Sequence, residues 1–164
     1  MILDILLVAL IVLSAVLLLW PFLFYPMVLR LLPERPIARG AGEQALPSAS
    51  LLFCAYNEAA SLPDKIANLR TLKARHPGLE VLAFDDGSAD GTGDLLAAAS
   101  DVVTLLRGPG RSGKAHGMKQ LAARAQGDVL IFTDANVLLD VDAIDALLPY
   151  YIDPDVGGVL GSLH

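Results

Sequence analysis

The residues of this chain with types and spacing suited to chemistry begin with Asp134 and Asn136, two positions apart in DVLIFTDAN. The run 129–133 is apolar or β-branched and too short for an ordinary helix, so it reads as a strand buried on both faces, as in a parallel sheet. In an open α/β sheet, ligands bind outside the carboxyl ends of the strands. A carboxylate there, with a second oxygen two residues on, can hold a hard cation such as Mg²⁺ or Mn²⁺ together with phosphate oxygens. Capping of the following turn is the competing use of Asp134.

Two further strand-end clusters stand upstream. One is Tyr56-Asn57-Glu58; the other is Asp85-Asp86-Gly87-Ser88, followed by Asp90-Gly91-Thr92. Adjacent carboxylates before a glycine can hydrogen-bond a base or ribose while the chain turns sharply. Turn and capping chemistry competes for the same residues, most strongly at Asp90. Between them and Asp134 lies Gly108-Pro-Gly-Arg-Ser-Gly-Lys114. Its backbone N–H groups at a helix start, with Arg111 and Lys114, suit a pyrophosphate. The spacing also satisfies G-x-x-x-x-G-K of a P-loop, but Ala115 stands where that motif needs Ser or Thr for Mg²⁺. His116 is one turn along, within reach of phosphates, although a lone histidine there is commonly a surface residue. The single Cys54 can form no internal disulfide and reads as a small buried hydrophobe. His76 and His164 receive no role.

The elements that must position these groups alternate. Strands are expected at 50–55, 79–84, 102–106 and 129–133, with a fifth beginning at 156–160. Helices are expected at 62–75, 90–100, 114–126 and 141–151. Ser61 would cap the first helix, whose residues Ile66, Leu69 and Leu72 face inward; Leu95 and Leu96 face inward from the second, and Asp140 caps the last. Strands alternating with helices imply an α/β fold, a Rossmann-like, mostly parallel sheet with right-handed crossovers, which gathers all three clusters on one edge.

Apolar residues make up 54% of the 164, an excess concentrated at the N-terminus. From Ile5 to Leu29 there is no charge. As a helix this segment would span ~37 Å, against a hydrocarbon core of ~30 Å. Pro21 and Pro26 would kink it or end it early, and Trp20 and Tyr25 suit an interface. Residues 5–29 are therefore read as one transmembrane helix in contact with the lipid bilayer. Residues 30–49, rich in proline and glycine, are read as a juxtamembrane linker and 50–164 as the nucleotide-binding domain. Arg30, Arg35 and Arg39 follow the span and no Lys or Arg precedes it, which places the domain in the cytoplasm by the positive-inside rule. The net charge of −6 without a basic cluster argues against nucleic acid as a partner.

AYNEAASLPDKI, FDDGSADGT and RSGKAHGMKQLAARAQGDVLIFTDAN, in this order and spacing, resemble the nucleotide-binding half of the family-2 inverting glycosyltransferases of GT-A fold. The resemblance covers 50–164, and many members carry a leading transmembrane helix. It implies that Tyr56, Asn57, Glu58 and Asp85 surround a nucleoside, that Asp86 supports the same pocket, and that Lys114 approaches the phosphates. Asp134 would lead the family's D-x-D signature and bind a divalent metal, Mg²⁺ or Mn²⁺, on the diphosphate of a nucleotide sugar, uridine-linked by the resemblance. The signature ends here in Asn136, a neutral oxygen in place of a carboxylate. The family's acceptor site and catalytic Asp would fall after residue 164, and Asp153 and Asp155 lie in the wrong loop to replace it. The expectation is a membrane-anchored glycosyltransferase portion, inactive by itself for want of a base. Two alternatives stand: a non-catalytic nucleotide-sugar-binding membrane protein or relic, and a P-loop nucleotidase.

Overall fold

The computed structural model describes residues 1–33, 37 and 45–161. Half of the expected linker 30–49, with Arg35 and Arg39, lies outside the described residues, as does His164. The chain divides into two units, Met1–Pro36 and Ile37–His164.

The first unit is helical from Ile2 to Leu31, 30 residues with none buried, long and apolar enough to cross a membrane by length and composition. It comprises α1 (Ile2–Leu19), one π-helical turn (Trp20–Phe24) and α2 (Tyr25–Leu31). Neither proline ends it. Pro21 has no N–H to give, and the ladder widens, the Tyr25 N–H bonding the Trp20 carbonyl five residues back. The rings of Trp20 and Phe24 stack at 5.7 Å across the same turn.

The second unit is built on four parallel strands, β1 (Ala49–Ala55), β2 (Glu80–Asp85), β3 (Thr104–Arg107) and β4 (Val129–Phe132), in the order β3-β2-β1-β4. Between them run α3 (Leu62–Arg75), α4 (Thr92–Ala98) and α5 (Lys114–Ala122); α6 (Ala143–Leu147) follows β4 and passes into a 3₁₀ turn at Leu148–Ile152. Alternation along the strands makes two cores. Leu51, Phe53 and Val81 pack with Leu62, Leu69 and Leu96 from α3 and α4, whereas Leu52, Leu82 and Phe84 pack with Leu121 of α5. Leu51, Leu52 and Phe53 of β1 are wholly buried, each contributing roughly 1.5–3 kcal/mol of burial.

Six sequence expectations are corrected. The strand buried on both faces is β1; β4 is an edge strand among the described residues, and Phe132 is 57% exposed. Residues 156–160 form no strand, because no neighbouring strand takes up their hydrogen bonds among the described residues. Leu96 is buried but Leu95 is exposed, since α4 is only seven residues long and presents one narrow face. The last helix starts at Ala143 after Asp142, because the Asp140 carboxylate accepts the Asp142 N–H in a turn before it. Ser61 precedes α3, but its hydroxyl donates back to the Glu58 carbonyl and to Glu58 Oε2 at 2.7 Å, not capping the helix amides. Helix α5 also stops before Gln126: the Gln126 N–H goes to Glu80 Oε2 and the Gly127 N–H to Ser50 Oγ, both 2.8 Å, so the turn before β4 is tied to the sheet.

Candidate functional site

The carboxyl ends of β1, β2 and β4 open on a cleft of about 300 Å³. Of the expected residues, Tyr56, Glu58, Asp86, Lys114, Asp134 and Asn136 line it. Asn57 and Asp85 do not, and their positions have a clear local cause.

Asn57 adopts φ +54°, a left-handed conformation that asparagine tolerates. Its N–H donates to Ser88 Oγ and its Oδ1 accepts the Ala89 N–H, both at 3.0 Å. The Glu58 N–H donates to Thr92 Oγ1 at 2.8 Å and the Ala59 N–H to Asp90 Oδ2 at 3.0 Å. Buried Asp85 accepts the Ser88 N–H at 3.0 Å. These side chains lace the loop after β1 to the loop after β2 and form the wall behind the cleft.

Asp86 is 4% exposed and spends both oxygens on the glycine-rich loop. Oδ1 accepts the Ser112 N–H at 2.6 Å and its hydroxyl at 2.7 Å; Oδ2 accepts the Gly113 N–H at 2.9 Å. Burial works against the charge, but these donors and the charge of Arg111 outweigh it and hold the carboxyl below its ordinary range. The expectation that the loop's amides are free for phosphate is corrected accordingly: those of Ser112 and Gly113 are already taken by a carboxylate. This removes the main support for a P-loop, which Ala115 had weakened. Gly87, at φ +78°, lets the two loops meet, since a Cβ there would come within 2.8 Å of the Gly110 backbone.

The loop delivers two cations. The Arg111 guanidinium lies 4.4 Å from the centre of the Tyr56 ring. Lys114, first residue of α5, pairs through Nζ with Asp134 Oδ1 across the cleft. Cys54 forms part of the floor, its thiol directed at the Lys114 carbonyl at 3.6 Å. Burial, reinforced by Asp86, pushes that thiol up to about 11, so it is inert at neutral pH. His116 is exposed, its ring edge-on to Phe84 at 6.3 Å and away from the cleft.

Asp134 and Asn136 bring a carboxylate and an amide oxygen to the same cleft. Among the described residues no group of three or more His, Cys, Asp or Glu side chains could hold a metal. The donor set therefore fits a hard cation that arrives with other oxygens, such as those of a diphosphate, and does not amount to a complete protein cage.

Sequence reasoning passed over Lys65 and Asn68. Lys65 is wholly buried on α3, with Nζ 2.5 Å from the Val137 carbonyl and 3.3 Å from Thr133 Oγ1. The signal was present: a lysine four residues before Leu69 and three after Leu62 lies within the apolar stripe of the helix.

Fold and cleft define a parallel α/β domain of nucleotide-binding type, with its polar groups at the carboxyl edge. The model of the family described as "Glycosyl transferase family 2" matches residues 50–164. The chain belongs to that family. It is 29% identical over 126 residues to an N-acetylglucosaminyltransferase of Rhizobium leguminosarum bv. trifolii, covering 74% of this chain and 69% of that protein. It is also 29% identical over 126 residues to the poly-beta-1,6-N-acetyl-D-glucosamine synthase of Staphylococcus aureus (strain COL), covering 71% of this chain but 29% of the relative. Among solved structures, the mannosyltransferase PcManGT from Pyrobaculum calidifontis, in complex with GDP-Man and Mn²⁺, superposes with a TM-score of 0.72 at 27% identity. That match covers 90% of this chain and 44% of PcManGT. The chain thus spans less than half the length of two of these three proteins, and the structural neighbour establishes a GT-A-like fold.

Proposed function

We propose that the cleft binds the nucleoside diphosphate of a sugar donor, and that this chain supplies the donor side of an inverting glycosyl transfer to an acceptor hydroxyl. One observation carries the reading: Tyr56, Lys114, Asp134 and Asn136, from three different loops, line a single cleft at the carboxyl edge of the sheet. Tyr56 offers an aromatic face to a base, and Arg111, which now covers that face, moves to the phosphates. Asn57 and Asp85 act behind the wall by shaping the nucleoside end.

Lys114 leaves Asp134 for the diphosphate and neutralises part of its charge. Asp134 and Asn136 would then hold Mg²⁺ or Mn²⁺; when bound, the ion stabilises negative charge on the departing nucleotide. Glu58 is bonded to Ser61 and Asp86 to the glycine-rich loop, so these two of the three cleft carboxylates support structure and neither is assigned proton abstraction. Asp153 accepts the Asp155 N–H in its own turn, and neither residue lines the cleft. The donor is proposed to be uridine-linked on the earlier resemblance. The GDP-Man of the mannosyltransferase neighbour makes a guanosine donor the specific alternative.

The helix Ile2–Leu31 is proposed to anchor the chain in a membrane, with 50–164 in the cytoplasm. Arg30, Arg35 and Arg39 on the domain side support this orientation. Protease protection in sealed vesicles tests it, and a domain shielded inside right-side-out spheroplasts is the expected result.

A nucleotide panel tests the donor reading. The full chain in detergent is titrated with UDP, GDP and ATP, with Mn²⁺ or with EDTA. Mn²⁺-dependent binding of UDP above GDP and ATP supports it. ATP binding that needs Lys114 but survives Asp134→Ala would overturn it in favour of a P-loop-like site.

A further inference from the structure

We propose that Lys65 and Asn68, neighbours on one face of α3, are positioning residues that set the Asp134–Ala135–Asn136 end of the cleft from the opposite side of the loop. The proposal rests on the reading of Asp134 and Asn136 as the diphosphate and metal end.

Lys65 makes contacts that bracket the triplet. Thr133 is the residue just before Asp134, and Val137 is the residue just after Asn136. The Lys65 ammonium donates to the side-chain oxygen of the first at 3.3 Å and to the carbonyl of the second at 2.5 Å. One buried group thus joins the two ends of the triplet. Thr133 in turn directs its hydroxyl to the Asp134 carbonyl at 3.5 Å. The Phe53 ring, 5.5 Å from Nζ, closes the ammonium's site from the sheet side.

Asn68 extends the same grip. It donates Nδ2–H to the Leu139 carbonyl at 2.7 Å and accepts the Leu139 N–H at Oδ1 at 3.0 Å. An amide side chain here does what a neighbouring strand would do for an extended segment. The loop needs this because it leaves an edge strand and has no partner strand beyond β4 among the described residues.

The burial makes a purely packing role a poor explanation. Lys65 lies between Leu62, Ile66 and Leu69, where an aliphatic side chain would pack without desolvating a charge. Among the described residues no carboxylate pairs with the ammonium, and its hydrogen bonds go to the segment flanking the triplet. Groups that orient ligands from behind commonly change metal affinity by about 10–100-fold when removed.

The test uses the full chain in detergent, as wild type, Lys65→Met and Asn68→Ala. Hydrogen exchange is followed at the amides of 133–139 and in β1 and β2, and UDP affinity is measured in EDTA and with Mn²⁺. The expected result for Lys65→Met is local: exchange at 133–139 quickens by about 10-fold or more while β1 and β2 are unchanged. UDP affinity in EDTA stays within about 2-fold, but the gain conferred by Mn²⁺ shrinks by about 10-fold or more. Asn68→Ala shows the same pattern more weakly, and it carries the test if Lys65→Met does not fold. Faster exchange spread evenly over the sheet, or an unchanged Mn²⁺ gain in the folded variants, overturns the proposal. If wild type binds no nucleotide, the donor reading fails, and the exchange pattern alone decides whether α3 sets the loop.

Discussion

Lys114 and Asp134 form an ion pair that joins the glycine-rich loop after β3 to the loop after β4 across the mouth of the cleft. Each side chain is more than half exposed, so the pair contributes little to stability, on the order of 0–1 kcal/mol. Its consequence lies in binding. The carboxylate proposed to meet a metal is already neutralised by the cation proposed to meet the diphosphate, so nucleotide and metal should bind together.

Lys114→Ala separates these roles. Nucleotide affinity is expected to fall by about 10-fold or more, as for loss of a charge-assisted hydrogen bond. The melting temperature should change little. Mn²⁺ alone should bind more tightly than in wild type, because Asp134 is released. Titration calorimetry with Mn²⁺ and then with UDP reads both effects, and weaker Mn²⁺ binding would contradict the pairing argument.

Asp86→Asn tests the carboxylate that holds the loop. The amide loses the charge and one acceptor for the Ser112 and Gly113 donors, at an expected cost of about 1–3 kcal/mol at neutral pH. Because the folded-state carboxyl titrates below its ordinary value, its contribution is full above the unfolded pKa and is lost as pH falls through the folded one. Wild type and variant should therefore converge in stability as pH drops from about 4. Denaturant melts at pH 7 and at successively lower pH check this; a constant gap would contradict it.

Lys65 gives a second rise of stability with pH, in the alkaline range, because its neutral form is the one the fold favours. Burial lowers its ammonium from the ordinary 10.5 to about 8, with the charge of Asp134 opposing the change. Below pH 8 both folded and unfolded chains hold the proton. Between 8 and 10.5 the unfolded chain binds a proton that the folded chain has released, so stability rises with pH. The gain is at most roughly 3 kcal/mol. Subtracting the Lys65→Met profile from that of wild type should isolate this rise, and a flat difference would contradict the burial of a titrating ammonium.

Gly117→Ala probes how closely α5 approaches the sheet. A Cβ there would lie 2.6 Å from both Cys54 Sγ and Phe84 Cδ1, so helix or sheet must shift. Destabilisation of about 1–3 kcal/mol is expected from overpacking. Since Lys114 begins the same helix, nucleotide affinity should fall as well. Thermal melts and UDP titration of the variant measure the two losses, and an unaltered melt would show that the helix has room to give.

Much of the frame was legible because local patterns carry it. The bounds of α3 matched the spacing of Ile66, Leu69 and Leu72 and the His76-Pro77-Gly78 stop, and the polar clusters gathered on one edge as a parallel sheet requires. Pairing was not legible. The run before Asp134 is as apolar as that of β1, yet only the pairing of β1 with both β2 and β4 makes one central and the other an edge. The division of labour among the acidic residues was hidden for a similar reason. Asp85 and Asp86 are adjacent, but one closes its own turn and the other binds amides 26 and 27 residues on. Lys65 escaped notice because a charged residue in an apolar stripe has meaning only once the Val137 carbonyl is seen beside it.

The most direct test of the donor reading is Mn²⁺ electron paramagnetic resonance on the full chain, with and without UDP, for wild type and Asp134→Ala. The account predicts weak Mn²⁺ binding alone, a loss of the free-ion signal when UDP is added, and restoration of that signal in the variant. UDP-promoted Mn²⁺ binding that persists without the Asp134 carboxylate would contradict it.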